Sequence, residues 1–248
     1  MLRTAGFLYG LVSYVVFLGA FLYAIGFVAN LLVPKSIDSG PVEPFGTALV
    51  INALLLGLFA VQHSVMARPW FKRAWTKIVP KSIERSTFVL LASLILILMF
   101  WQWRPMPEPV WSVTNTIGVY LLWALFALGW LIVLVSTFLI NHFDLFGLRQ
   151  VMLHLQKKDY THLGFSVKGL YKFLRHPIML GFIIAFWAAP TMSVGHLIFS
   201  IATTGYILVG IFFEERDLLK AHGQDYVHYR KSVPMLIPGT RAYQAKER

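Results

Sequence analysis

Between Ile178 and Phe213 the chain runs for 36 residues without an Asp, Glu, Lys or Arg. As a single helix, at about 1.5 Å per residue, this run would measure roughly 54 Å, well beyond the bilayer's hydrocarbon core of about 30 Å. Pro190-Thr191-Met192-Ser193 supplies a break inside it. The run therefore reads as a membrane hairpin that enters, turns and returns. Its first arm, Ile178–Ala189, covers only about 18 Å, whereas the second, Thr191–Phe213, is long enough to cross. Thr4–Val33, Gly46–Ala67 and Ile117–Ile140 are also free of formal charge and long enough to span. Thr87–Trp103 sits at the short limit, with Trp101 and Trp103 as interfacial anchors. The expected fold is all-α, a polytopic transmembrane bundle of five to six spans ending in the hairpin.

Only 13% of the 248 residues are charged and 57% are hydrophobic. A soluble domain carries about 25% charged residues, so an integral membrane protein is expected, as one domain over 1–248. The first segment is long and has no small-residue cleavage pattern, so it reads as a retained helix and not a signal peptide. With no cysteine, disulfides, thiolate metal sites, iron–sulfur clusters and a cysteine nucleophile are excluded.

The net charge of +11 is placed by topology. Arg68, Lys72, Arg73, Lys77, Lys81 and Arg85 lie between the second and third spans. The loop 141–177 holds Arg149, Lys157, Lys158, Lys168, Lys172 and Arg175. The tail holds Arg216, Lys220, Arg230, Lys231, Arg241, Lys246 and Arg248. The opposing loops hold only Lys35 and Arg104 among basic residues. Both termini and both large loops are thus expected in the cytoplasm, in what reads as a bacterial inner membrane. The basic excess is explained by this asymmetry and by anionic lipid, so no nucleic-acid partner is expected.

The polar candidates gather on the basic side. Arg175-His176-Pro177 opens the hairpin and Glu214-Glu215 closes it, so the return of the chain brings them to one face. Proline suits a first helical position, and the free N–H groups there favour an anion. Arg175 adds a forked donor for a carboxylate. A guanidinium, an imidazole, a helix start and carboxylates can hold a zwitterionic cofactor; an interfacial arginine on a lipid phosphate is the plainer alternative. Adjacent glutamates on a helix point about 100° apart. One is therefore expected to face the site and the other to pair with Arg216 or a basic loop, and either can instead be a solvated carboxylate. Asn141-His142-Phe143-Asp144 follows the fourth span, and His63 lies near the end of the second. Each histidine is open to reading as a proton carrier, a metal or haem ligand, or a hydrogen-bonded interfacial group. No spacing gathers a metal-binding set, so no metal is expected. The opposite side is nearly blank, which argues against a transporter or channel. Past Glu215, the stretch through Tyr226, Tyr229 and Val233-Pro234-Met235-Leu236-Ile237-Pro238 reads as a short helix and apolar run, either a lid over the cytoplasmic mouth or a plain surface helix.

Gly169-Leu170-Tyr171, Arg175-His176-Pro177, Gly181, Glu214-Glu215, Tyr226, Tyr229 and Ile237-Pro238 resemble the C-terminal signature of the isoprenylcysteine carboxyl methyltransferase-like membrane superfamily. That superfamily also holds phospholipid methyltransferases, denitrification-linked membrane proteins and NADPH-using sterol reductases. Val33-Pro34-Lys35-Ser36-Ile37-Asp38-Ser39-Gly40, Gln62-His63-Ser64-Val65-Met66-Ala67-Arg68-Pro69, Glu84-Arg85-Ser86, Ser136 through Gln150 and Pro190-Thr191-Met192 are similar to the methanethiol S-methyltransferase family, nearly end to end. Met179 departs from the superfamily, which often has an aromatic residue there.

The resemblance implies S-adenosylmethionine as methyl donor, a small volatile thiol as substrate, dimethyl sulfide as product and a cytoplasmic cofactor pocket. It places residues 1–165 on the substrate side and makes 166–248 the donor-binding element, with hairpin and lid. Gly169, Tyr171, Arg175, His176, Pro177, Gly181, Glu214, Glu215, Tyr226 and Tyr229 then become candidate donor contacts. His142 becomes the candidate base, with Asp144, Asn141 or His63 beside it, and Phe143, Phe146, Arg149 and Gln150 fall on the substrate side. Three alternatives share parts of this pattern: a methyltransferase for a larger lipid or prenyl thiol or carboxyl acceptor, an NADPH-dependent membrane reductase, and a haem-bearing or structural protein.

Overall fold

Prolines and small polar residues set most helix boundaries. In the computed structural model, which describes residues 2–240, α1 runs Leu2–Ala29. It stops where Asn30 and Leu32 take positive φ. Pro44 precedes α2 (Phe45–Ala67), and Pro69 opens α3 (Pro69–Trp75) at a kink at Arg68. Pro80 precedes α4 (Lys81–Gln102). The third span therefore starts six residues before the apolar run, because a helix continues into a charged first turn that hydropathy alone leaves out. The side chain of Asn115 accepts from the Gly118 N–H and caps α5 (Thr116–Ile140). α6 (His142–Leu145) and α7 (Leu148–Leu155) are short, and a 3₁₀ turn covers Gly169–Lys172. α8 (Pro177–Trp187) begins on its proline. β1 (Pro109–Ser112) pairs with β2 (Thr191–Ser193). α9 (Val194–His222) and α10 (Gln224–Ser232) complete the chain. Arg241, Lys246 and Arg248 of the basic tail lie outside the described residues.

Five helices, α1, α2, α4, α5 and α9, are long and apolar enough to cross a membrane. The first hairpin arm is not among them. Its 11 residues reach roughly 16 Å. Among the described residues the all-α reading holds, with five helices long enough to span and one half-length helix. α9 also runs past the end of the apolar stretch to His222, so Glu214 and Glu215 ride on the same helix as the span.

The described residues form two compact units. One comprises residues 1–111, 142–162 and 192–198, the other 112–141, 163–191 and 199–240. In the first, α1 packs on α4 and α7, and α2 packs on α4. Met66, Phe88 and Val89 form its buried centre, with Phe17, Trp75 and Phe146 against them. Gly147 at φ +88° lies so close to Ser86 that a Cβ would fall 2.7 Å from its backbone nitrogen. The loop end opposite the basic side is not blank. Buried Asn52 bonds the Arg104 backbone in both directions, at 2.7 and 2.8 Å. Asp38 accepts from Asn30 and from Ser193. These groups were read as sparse because uncharged Asn and Ser carry no signal in a charge count.

In the second unit α5 packs along α8. A Cβ on Gly129 would lie 2.6 Å from the Ala185 nitrogen and 2.7 Å from the Gly181 oxygen, so the two backbones touch. Trp130 packs edge-on against Phe182 and Phe186 beside this contact. The hairpin arms are tied by hydroxyls. Ser200 donates to the Phe186 carbonyl at 2.7 Å, and the Trp187 indole donates to Thr204 at 2.9 Å.

Candidate active site

His176 precedes α8 and has a phi/psi outside the helix, while Pro177 takes the first helical position. This turn places Arg175 and His176, both buried, against the far end of α9. Arg175 donates from Nε to Glu215 Oε1 at 2.7 Å. His176 Nε2 lies 3.2 Å from the same oxygen, and its Nδ1 lies 3.5 Å from Glu214 Oε2. The return of the hairpin thus brings the Arg-His pair and the glutamates together. Both glutamates meet one imidazole, although the helical angle had assigned only one of them inward. The ring's nitrogens sit on separate edges, so adjacent carboxylates straddle it. Glu215 is buried and Glu214 half exposed.

Burial alone would lower the His176 pKa, but hydrogen bonds and charge from Glu214 and Glu215 outweigh it and raise the net value. The imidazole is held toward its charged form.

The tail closes this cluster within the unit. Arg175 donates from Nη1 to the carbonyls of Val233 (2.5 Å) and Arg230 (3.2 Å). The Arg175 and His176 N–H groups donate to the carbonyls of Pro234 and Met235. Arg230 Nε stands 3.4 Å from Glu215 Oε2, an ion pair by distance without hydrogen-bond geometry. Tyr226, Tyr229 and Val233 pack with Phe165. Tyr229 donates to the Tyr171 carbonyl at 2.6 Å, which ties α10 to the 3₁₀ turn. Burial raises the Tyr171 and Tyr226 hydroxyls well above the usual phenol range and Tyr229 to about 12. Gly169 at φ +50° faces Leu139, and Gly181 lies in the α5–α8 contact.

The first unit holds a second constellation. His142 opens α6 and is buried. Its Nε2 lies 2.8 Å from the Tyr14 hydroxyl of α1. The rings of Tyr14, Phe143 and Phe146 surround it, and Phe146 stacks on Phe17 with centroids 3.9 Å apart. Burial lowers the His142 pKa, so the ring is neutral near pH 7. Asp144 accepts from Arg149 at 2.9 Å and from Tyr160 at 3.3 Å. Arg149 also bonds Thr161, and Gln150 donates to the Asp144 carbonyl. His63 stacks on Phe59 and tilts against Phe88. Asn141 belongs to the second unit, where it ends α5 with its N–H on the Thr137 carbonyl.

Two functional neighbours escaped the sequence reading. Tyr14 sits in an apolar span, where a polar side chain is itself a signal. Arg230 falls on the α10 face that also carries Tyr226 and Tyr229, a helical spacing that marks it.

A buried hydroxyl without a partner tests whether the first cluster suits a ligand. The Tyr226 hydroxyl is such a group, in a residue only 1% exposed. Beside it, Glu214 keeps a half-exposed carboxylate, and α8 starts without a side-chain cap. Acceptors, a donor and free helix N–H groups fit a small zwitterion with hydroxyls.

Five apolar crossings with buried polar clusters define an integral membrane protein of the helical-bundle class. No family model and no solved structure matches the chain. A methanethiol S-methyltransferase of Mycobacterium tuberculosis is 59% identical over 96% of this chain and 98% of its own length. One of Crocosphaera subtropica is 53% identical over 95% of this chain and 92% of its own. Nurim of Mus musculus is 28% identical over 69% of this chain and 68% of its own. The chain belongs to the methanethiol S-methyltransferase family.

Proposed function

We propose that the chain transfers a methyl group from S-adenosylmethionine to methanethiol, giving dimethyl sulfide. The observation that carries this is the near end-to-end identity, above 50%, with proteins named for the S-methylation of methanethiol. S-adenosylmethionine, when bound, supplies an activated methyl group on a sulfonium centre. Methyl transfer to sulfur is a displacement that needs no protein nucleophile, in keeping with a chain that has no cysteine. The enzyme's task is to position and desolvate.

The Arg175–His176–Glu214–Glu215 cluster is the donor site in this reading. Glu214 and the Tyr226 hydroxyl meet hydroxyls or the ammonium, and the first-turn N–H groups of α8 meet the carboxylate. Arg175 already holds Glu215 and the tail carbonyls, so it acts by fixing the acidic wall and the segment after α10. Tyr171 and Tyr229 hold the 3₁₀ turn and tail together, Gly169 and Gly181 permit the close packing, and Pro177 sets the helix start.

A thiol is largely protonated at neutral pH, the cysteine value being about 8.5. His142, neutral and buried, takes that proton on its imidazole. Phe143 and Phe146 give sulfur an aromatic surround. Arg149, Gln150 and Asp144 keep the segment that carries them in shape. In this reading the chemistry lies on the cytoplasmic side of a bacterial inner membrane, which the distribution of basic loops supports.

The test is headspace dimethyl sulfide from membranes containing the chain, supplied with methanethiol and S-adenosylmethionine. Donor-dependent product that is lost in Glu214→Ala is expected. Folded protein that binds the donor and gives no product from methanethiol points to a larger acceptor and overturns the substrate.

A further inference from the structure

A part-buried polar contact joins the first span to His142. Tyr14 comes from the first span, yet its hydroxyl lies 2.8 Å from His142 Nε2. The two rings meet edge to face, with centroids 5.7 Å apart. Phe17, Phe143 and Phe146 complete an apolar surround. Several charged groups on the elements packed around α6 are engaged with one another or with backbone, and Glu84 of α4 interacts electrostatically with its neighbour Arg85. Asp144 and Arg149 are paired, Tyr160 bonds Asp144, and Arg85 of α4 donates to the Leu145 carbonyl. From α1 it is Tyr14 that reaches the ring.

We propose that Tyr14 is a positioning residue for His142, fixing its imidazole and matching its proton state during methyl transfer. A phenol both donates and accepts. In the neutral ring Nε2–H donates to the phenol oxygen and Nδ1 takes the thiol proton; in the imidazolium the same Nε2–H donates again, so the contact survives proton uptake without rearrangement of the chain. The second bond is charge-assisted and roughly twice as strong as the first. Tyr14 therefore favours the protonated ring and offsets part of the penalty that burial places on it. A base buried among phenylalanines without such a partner would be too weak to take a thiol proton near neutral pH. The inference rests on the reading of His142 as the base.

The experiment is the pH dependence of kcat for Tyr14→Phe, His142→Gln, the double variant and Phe17→Leu, each in detergent with its melting temperature recorded. Activity requires neutral His142, so kcat rises with pH through the His142 pKa. In Tyr14→Phe this acid limb is expected to move to lower pH, while the plateau kcat falls about tenfold and KM for methanethiol changes little. Phe17→Leu, which loosens the same packing without touching the hydrogen bond, leaves the limb in place. The double variant is no slower than His142→Gln, because Tyr14 acts through the imidazole. An unshifted limb in a folded Tyr14→Phe enzyme, beside an impaired His142→Gln, overturns the role of Tyr14 alone. Full kcat in His142→Gln removes the base itself, and the inference with it.

Discussion

A carboxylate as enclosed as that of Glu215, which is 8% exposed, persists only where cations and donors surround it. Here Arg175, His176 and Arg230 do so. Removing one partner from a buried pair leaves a charge without compensation, at a cost of about 3–5 kcal/mol. Arg175→Met is therefore expected to lower the melting temperature in detergent and to abolish donor binding in calorimetry. Arg175→Lys should rescue little, because a lysine cannot reach Glu215 and the Val233 and Arg230 carbonyls with one fixed fork. Unchanged binding in the folded Arg175→Met protein would remove this residue from the donor site. Arg175, His176 and the glutamates were legible because a charge-free run of known length must turn back, and its ends must then meet. Arg230 and Tyr14 were not. Polarity in an apolar span marks Tyr14 and helical spacing marks Arg230, but neither names its partner, which only tertiary packing supplies.

Helix pairs in such a bundle are set by how closely their backbones approach. Gly129 of α5 and Gly181 of α8 leave no room for a Cβ between them. Gly129→Ala must push the helices apart and is expected to cost about 1–3 kcal/mol, as overpacking does. Gly205→Ala on α9 meets nothing within 4 Å and should be neutral or slightly stabilising. Comparing the two melting temperatures tests the contact, and equal values would dismiss it. The order of spans was readable from hydropathy and their number only as five or six, and the ends of α4 and α9 were not readable. Both helices extend into charged residues, Lys81–Arg85 and Glu214–His222, because backbone hydrogen bonding continues wherever no proline or glycine interrupts it. Hydropathy marks the membrane and not the end of the helix.

For the protein as a whole, two histidines pull stability in opposite directions with pH. His176 has a raised pKa, so its contribution is complete below the unfolded value of about 6.5 and is lost as pH rises through its folded value. His142 has a lowered pKa, so its contribution is present above about 6.5 and is lost as pH falls through its folded value. Their sum is greatest near pH 6.5, in order-of-magnitude terms. Melting curves in detergent from pH 5 to pH 9 test this. His176→Gln should flatten the alkaline decline and His142→Gln the acid one. A variant that leaves its own limb unchanged would show that its histidine does not titrate with folding.

The 11-residue α8 ends partway across, and this has a consequence for how the chain is made. Carbonyls at the end of a helix cannot be left bare in lipid. Of those of α8, Ile184 and Trp187 accept from the Ala188 and Ala189 N–H groups and Phe186 accepts from the Ser200 hydroxyl of α9, while Thr204 accepts from the Trp187 indole. Neither Ser200 nor Thr204 is present until α9 has emerged from the ribosome. The half-helix is therefore expected to enter the membrane together with the following segment, as one unit of biogenesis.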